Sequence, residues 1–372
     1  MKIVLAPDSF KGTLSAAEVC TIEAEAIREV LPDVQIISLP LADGGEGTLE
    51  AVTLARPEAK RVEVPCHDPL MREITAEYLR LPDGTAIIEL AQASGLQLLA
   101  PEERNPLKAN TFGTGELILH ALQNGCQKII VGLGGSATVD GGWGLTAALG
   151  GSSANSVLEM ANQELDSRFI SNILDYIKGT WSELQVTIAS DVTNPLLGPN
   201  GAAAVFGPQK GATPEMVEML EHRLRQWASL WQDDGNQPGE GAAGGVGFLL
   251  RKLFPHCQTI SGGELLCELA GLDRQLADAD LVITGEGASD VQTCNGKLPF
   301  IVDQHARNAN VPCALLSGFL PPNAQNTLAV HFQYLYGTLS KPPEPQDITH
   351  EACESRLAQA AQHLVLTILD NS

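Results

Sequence analysis

The sequence predicts an α/β protein of two domains, one of them assembled from both chain ends. Three observations carry that expectation. At each terminus, short apolar runs rich in β-branched residues alternate with stretches of helical period, the grammar of parallel strands joined by helices. Between the termini the grammar changes to strands in direct succession. And 372 residues exceed the usual size of a single hydrophobic core.

In order, Lys2 to Ala6 form a strand that empties into PDSFKGT. Ser15 and Glu18 make a capping box, and the apolar spacing up to Leu31 predicts a helix. A second strand, Val34 to Leu39, leads through LADGGEGT into a helix near Leu49. From about Arg61 the segments RVEVPC, ITAEYLRL and TAIIEL are separated by the turn signals HDPL and LPDG, which reads as an antiparallel meander. A helix from Thr114 to Asn124 follows, then the strand Ile129 to Val131 with its glycine loop and a helix behind it. The stretch from Ser152 to Leu184 is helical, Gln185 to Ala189 a strand, and Pro214 to Trp231 a helix. Near Asp280 the βα alternation returns with LVIT, CALLS and HFQYLY, closed by a helix from about Glu351 to Leu369. Three strands added to the first two make five. The simplest architecture is a flavodoxin-like, doubly wound parallel sheet from residues 1–66 and 271–372, with a mixed α/β domain inserted over 67–270.

Composition bounds the function. Apolar residues are 44% and charged ones 18%, ordinary for a globular protein, and aromatics at 5% give little for stacking nucleic-acid bases. A net charge of −22 repels phosphate backbones and anionic lipid, so nucleic acid and membrane are not the expected partners. The eight cysteines show no CxxC and no zinc spacing, and read as reduced thiols. The apolar run of MKIVLAPDSF is too short for a signal peptide, and no stretch approaches the roughly twenty apolar residues of a membrane span. A cytoplasmic protein is expected.

The stretch Ile129 to Gly142, IIVGLGGSATVDGG, ends a buried strand in five glycines, Ser136, Thr138 and Asp140. Glycines let amides approach a ligand, the hydroxyls donate, and Asp140 is placed to hold a divalent cation or orient a hydroxyl, which suggests a phosphate cradle. Other loops carry similar groups: Asp8, Ser9 and Lys11; Asp43 and Glu46; Asp191 and Asn194; Lys210; and Glu286, Asp290 and Lys297. Singly, an Asp before Gly is turn chemistry and a loop Lys is solvated. Three of these loops, however, fall on the same edge of one sheet. Several acids beside glycine amides and isolated lysines suit a magnesium nucleotide and phosphoryl transfer. There is no GxxxxGK[ST], no HRD with DFG and no GxSxG, and His67 in CHDP reads as a turn residue. Pro82 and Asp83 with Glu89 and Ala91 imperfectly echo the PD and ExK pattern of metal-dependent nucleases, with alanine where lysine belongs. A ligand sensor of the same fold, without catalysis, is the competing class.

Together the loops resemble one family, the type I glycerate kinases of bacteria. The matching runs include PDSFKGTLSA, PLADGGEGT, ELAQASGL, RNPL, FGTGELI, GLGGSATVDGG, DVTNPLLGPNGAA, FGPQKGA, GAAGGVGF and TGEGASDVQTCNGK, in order from Pro7 to Lys297. The resemblance implies ATP and Mg²⁺ as cofactors and D-glycerate as substrate, phosphorylated at C2, with C3 the alternative position. It also implies an inserted domain of restriction-endonuclease-like outline, which accounts for the nuclease echo as fold. Carried onto this chain, it assigns Asp8, Lys11, Asp191 and Asp290 to catalysis. Ser9, Asp43, Gly44, Glu46, Gly134, Gly135, Ser136, Asn194, Lys210, Glu286 and Lys297 fall to substrate and nucleotide, and Asp140, Asp191 and Asp290 to metal. Transfer is expected to be direct and in line, and a homo-oligomer is allowed for. Two positions depart from the family pattern: Ala288 and Ser289 follow GEG where arginine is usual, and Val139 replaces asparagine.

Overall fold

The computed structural model describes residues 1–10, 12–45, 47–156, 167–294 and 296–370. Among them the strands are β1 (Lys2–Leu5), β2 (Gln35–Ser38), β3 (Lys60–His67), β4 (Glu73–Arg80), β5 (Thr85–Glu89), β6 (Lys128–Gly132), β7 (Gln185–Ala189), β8 (His256–Ile260), β9 (Leu281–Thr284), β10 (Cys313–Phe319) and β11 (Tyr334–Leu339). The chain divides into two compact units, Met1–Asp43 with Glu50–Pro57 and Gly262–Ser372, and Gly44–Leu49 with Glu58–Ser261.

The first unit holds a five-stranded sheet of order β11-β10-β9-β1-β2, parallel throughout. Renumbered within the unit, the order is 2-1-3-4-5, the flavodoxin-like winding that the alternating grammar predicts. Every residue of β1 and β9 is buried, which is why both read as unbroken apolar runs and not as alternation. The helix Ala16–Val30 starts where expected: Ser15 Oγ accepts the Glu18 N–H at 3.2 Å, and the Glu18 carboxylate accepts the Ser15 N–H at 2.8 Å. Its Val19, Ala24 and Ile27 share a core with Leu357, Ala361 and Leu364 of the last helix, His350–Asp370. The strand expected at HFQYLY begins three residues later, at Tyr334. His331 and Phe332 give their amides to Leu328 O at the end of the preceding helix, and pairing with β10 starts at Ala314 with Tyr334.

The second unit holds the order β3-β4-β5-β6-β7-β8. Its first three strands are the antiparallel meander, and β5 to β8 run parallel. Strand β8, HCQTI, has no counterpart among the expected strands. It is an edge strand, paired on one side with β7, and its half-exposed residues lack the apolar signal that marks central strands. Ile88, Val131, Leu145, Ile188, Trp227 and Phe248 belong to the core beneath. Of the stretch expected to be helical from Ser152 to Leu184, Ser167–Thr180 is a helix, and residues 157–166 lie outside the described residues. All eight cysteines are free thiols. No described helix is long and apolar enough to cross a membrane.

The nuclease echo dissolves in this unit. Asp83 precedes β5, where it accepts the Thr85 N–H and hydroxyl at 3.0 Å each, a turn. Glu89 ends the same strand, about 20 Å away at the rise of an extended chain. It is buried and accepts the Leu49 N–H at 3.2 Å. Two acids that far apart cannot share an ion.

Candidate functional site

In the first unit, strand order reverses between β1 and β9, and ligands of doubly wound sheets bind at such a point. The chain holds the two following loops side by side there: Ala6 N–H donates to Ile283 O at 2.8 Å and Asp8 N–H to Gly285 O at 2.9 Å. Asp8 is largely buried and its Oδ1 accepts the Ser9 N–H at 2.7 Å and the Ser9 hydroxyl at 3.3 Å. Lys11 and Glu46 lie outside the described residues. Glu286 gathers the other loop: its carboxylate accepts Ser289 Oγ at 3.1 Å, Thr293 Oγ1 at 2.7 Å and Lys297 Nζ at 3.1 Å. Asp290 is half-buried and takes the Gln292 N–H at 2.8 Å, while the Lys297 side chain is 41% exposed. Asp43 is half-buried on the loop after β2. Ala288 is exposed and bridges Phe319, so no cation stands at that point of the loop.

In the second unit the equivalent edge is the carboxyl end of β5, β6 and β7. The loop after β6 is closed from within. Asp140 is part-buried and accepts four bonds: from Thr111 N–H at 2.9 Å, Thr111 Oγ1 at 2.8 Å, Gly142 N–H at 3.0 Å and Gly144 N–H at 3.0 Å. Burial pushes its carboxyl above the usual carboxylate range, and those four donors pull back. The glycines are there because of close approaches. A side chain at Gly132 or Gly134 would run into the backbone of Gly44 and Gly45, and Gly134 N–H donates to Gly44 O at 3.3 Å.

Lys210, from the turn Pro208–Lys210, reaches into this loop. Its buried ammonium donates to Ser136 Oγ at 2.7 Å and to Thr138 O at 2.8 Å. Burial lowers its pKa to about 7, partly offset by the charge of Asp140. Asn194 is a scaffold residue as placed, its Nδ2 donating to Asn200 O and its carbonyl accepting the Gly241 N–H, both at 2.9 Å. Asp191 is exposed just after β7. Val139, the second departure from the family pattern, is buried in the core.

The structure thus gathers Asp8 and Ser9 with the Glu286 loop, and Ser136 with Gly134, Lys210 and Asp140. No three His, Cys, Asp or Glu residues among the described ones stand together to hold a metal. His67 pairs with Glu116, Nδ1 to Oε2 at 3.0 Å, as a held turn residue. Sequence reasoning missed Thr111, which clasps Asp140, and Arg104. Arg104 stands in the run RNPL, quoted for the resemblance but given no role, and Thr111 just before the run FGTGELI.

A doubly wound sheet and a mixed sheet, each with charged, glycine-rich loops on its carboxyl edge, define an α/β enzyme for small anionic substrates. The chain belongs to the glycerate kinase family, whose model it matches over residues 3–369. It is similar to the glycerate 2-kinase of Escherichia coli and to a glycerate kinase of Haemophilus influenzae, each 41% identical over 340 residues, 86% of both chains compared. It also resembles the crystal structure of a protein described as glycerate kinase 2 of Salmonella typhimurium LT2. There the TM-score is 0.78 at 39% identity, over 100% of this chain and 99% of that one.

Proposed function

We propose that this chain, a kinase by family, transfers the γ-phosphoryl group of ATP to the C2 hydroxyl of D-glycerate, releasing ADP and 2-phospho-D-glycerate. The observation that carries the reading is the buried ammonium of Lys210 behind the Ser136 hydroxyl. In a chain of net charge −22, a cation is kept out of water where an incoming anion meets it. The names of the relatives supply the substrate and the position.

Roles follow from the geometry of each unit. The loops of Asp8 and Glu286, at the reversal of strand order, suit the nucleotide phosphates, with Lys297 as a half-exposed cation able to leave Glu286 for a phosphate oxygen. Asp191 or Asp290 would take the hydroxyl proton. For Mg²⁺, the family's metal, the described residues offer single carboxylates and no cage. That fits an ion held by phosphate oxygens, water and one or two acids, so Asp290 and Asp191 remain candidates. Mg²⁺ would neutralise phosphate charge. Asp140, expected in the metal set, is better assigned to holding its loop, since its oxygens already accept four bonds. Soluble substrates and eight free cysteines favour a cytoplasmic enzyme.

The test is phosphorus NMR of purified protein with ATP, Mg²⁺ and D-glycerate. A 2-phosphoglycerate signal is expected. A 3-phosphoglycerate signal would correct the position, and no transfer from folded protein would leave a ligand sensor.

A further inference from the structure

The loop after β6 looks at first like a phosphate cradle at a helix start. Its amides say otherwise. Gly141 N–H donates to Gly244 O and Trp143 N–H to Asp140 O; Gly142 and Gly144 give theirs to the Asp140 carboxylate, and Leu145 to Thr111 Oγ1. The protein's own acid and hydroxyl occupy the place an external phosphate would take. An anion at this helix start must therefore be held mainly by side chains.

Four side chains have hydrogens to give. The Lys210 ammonium has three and uses two. Because an ammonium can only donate, Ser136 Oγ is the acceptor in their bond, and the hydrogen of Ser136 stays uncommitted. Thr138 Oγ1 is fully buried with no hydrogen-bond partner among the described residues. Arg104 Nε is buried and equally without a partner, and its guanidinium makes no ion pair with a described residue. Arg61, Arg72, Arg225 and Arg307 each meet a carboxylate, and Arg223 and Arg251 each donate to a backbone carbonyl. Arg104 also starts from the right spot. Its carbonyl and Cβ lie against Gly211, the residue after Lys210, so closely that a side chain at Gly211 would clash.

We propose that Arg104, Ser136, Thr138 and Lys210 form the subsite for the carboxylate of the hydroxy-acid substrate. A guanidinium fork matches the two oxygens of a carboxylate, and neutral hydroxyls complete its remaining lone pairs. The charge of Asp140 beside Lys210 favours a monoanion over a phosphate dianion. This deepens the proposed function and rests on it: the carboxylate is anchored in the second unit, and the hydroxyls on C2 and C3 stay free of that subsite.

The experiment compares wild type with Arg104→Gln and Arg104→Lys in steady-state kinetics, and measures tartronate binding by calorimetry without nucleotide. Arg104→Gln is expected to raise KM for D-glycerate about tenfold to a hundredfold, with Arg104→Lys intermediate and KM for ATP moving less than about twofold. Tartronate binding should be lost in parallel. A rise in KM for ATP alone, or no change in either KM, overturns the subsite. The two readings separate cleanly. An active kinase whose tartronate binding survives Arg104→Gln sinks the subsite alone; a protein that phosphorylates no hydroxy acid yet binds tartronate through Arg104 sinks the reaction alone. If Arg104→Gln fails to fold, Ser136→Ala, which removes one hydroxyl, must give the same split between the two substrates, and an unchanged KM for D-glycerate overturns the proposal.

Discussion

The two charged glycine loops differ in how far they are finished before a ligand arrives. After β6, the part-buried Asp140 accepts four bonds on its two oxygens, while the buried ammonium of Lys210 is sealed against two oxygens. After β9, Glu286 is gathered by two hydroxyls and a lysine, but that lysine is 41% exposed and Asp290 is half-buried. An exposed ion pair contributes little and exchanges readily, whereas a buried charge is held wherever its partners are. The first loop is a rigid positioner, and the second keeps charges available to trade. Substitutions on each side should therefore separate stability from turnover in opposite proportions.

Asp140→Asn is the largest test. An amide accepts at one oxygen only and turns its NH₂ toward donors, so at least one of the N–H groups now facing Asp140 is left buried and unpaired. Thermal unfolding should fall by roughly 5–15 °C for a loss of about 2–4 kcal/mol, and activity should fall with it. Unchanged melting would break the claim that the loop is held from within.

Lys210→Met comes next and acts chiefly on activity, with kcat/KM down about a hundredfold or more. It also carries a signature in pH. The folded pKa of Lys210 is about 7 against 10.5 for the ordinary side chain, so between those values the unfolded chain binds the extra proton. Stability of the wild type should therefore rise with pH over that window, as the burden of a buried ammonium is relieved. Denaturant titrations from pH 7 to 10 should show the rise in wild type and its absence in Lys210→Met; equal slopes would place the lysine outside a buried site.

Much of this was legible in the residues. The capping box at Ser15, the antiparallel meander and the five-stranded winding follow from period and turn chemistry, which act locally. Strand β8 was not legible, because an edge strand paired on one side needs no apolar face and HCQTI offers none. In the site, the glycine loops announced themselves, but the direction of their amides did not. That Asp140 faces Thr111, 29 residues earlier, depends on how β6 is followed back into a helix, and no local pattern encodes it. Arg104 is harder still: a buried Nε with no partner among the described residues, close to Gly211, marks it, and both are properties of the fold.

Lys297→Ala should invert the Asp140 result. Removing one member of a half-exposed pair should cost less than about 1 kcal/mol of stability, yet lower kcat/KM by about tenfold to a hundredfold through weaker handling of the nucleotide. Differential scanning calorimetry beside initial rates would read both. A large loss of stability with little loss of rate would make the second loop another rigid positioner and remove the contrast.

The smallest effect sharpens the meaning of a held acid. Glu23, on the helix Ala16–Val30, is fully buried where Asp140 is part-buried, and both its oxygens lack hydrogen-bond partners among the described residues. Burial alone raises its pKa to about 8 from 4.5. Between those values the folded protein keeps a proton that the unfolded chain has released, so stability contributed at low pH is lost as pH rises through that window. Glu23→Met keeps the volume and removes the charge. It should match wild type at pH 5 and exceed it at pH 8 by about 1–3 kcal/mol, with turnover unchanged. The same acidic group thus costs stability where nothing binds it and supports a loop where four donors do. A Glu23→Met protein less stable than wild type at pH 8 would show that burial without partners is not what separates these two carboxyls.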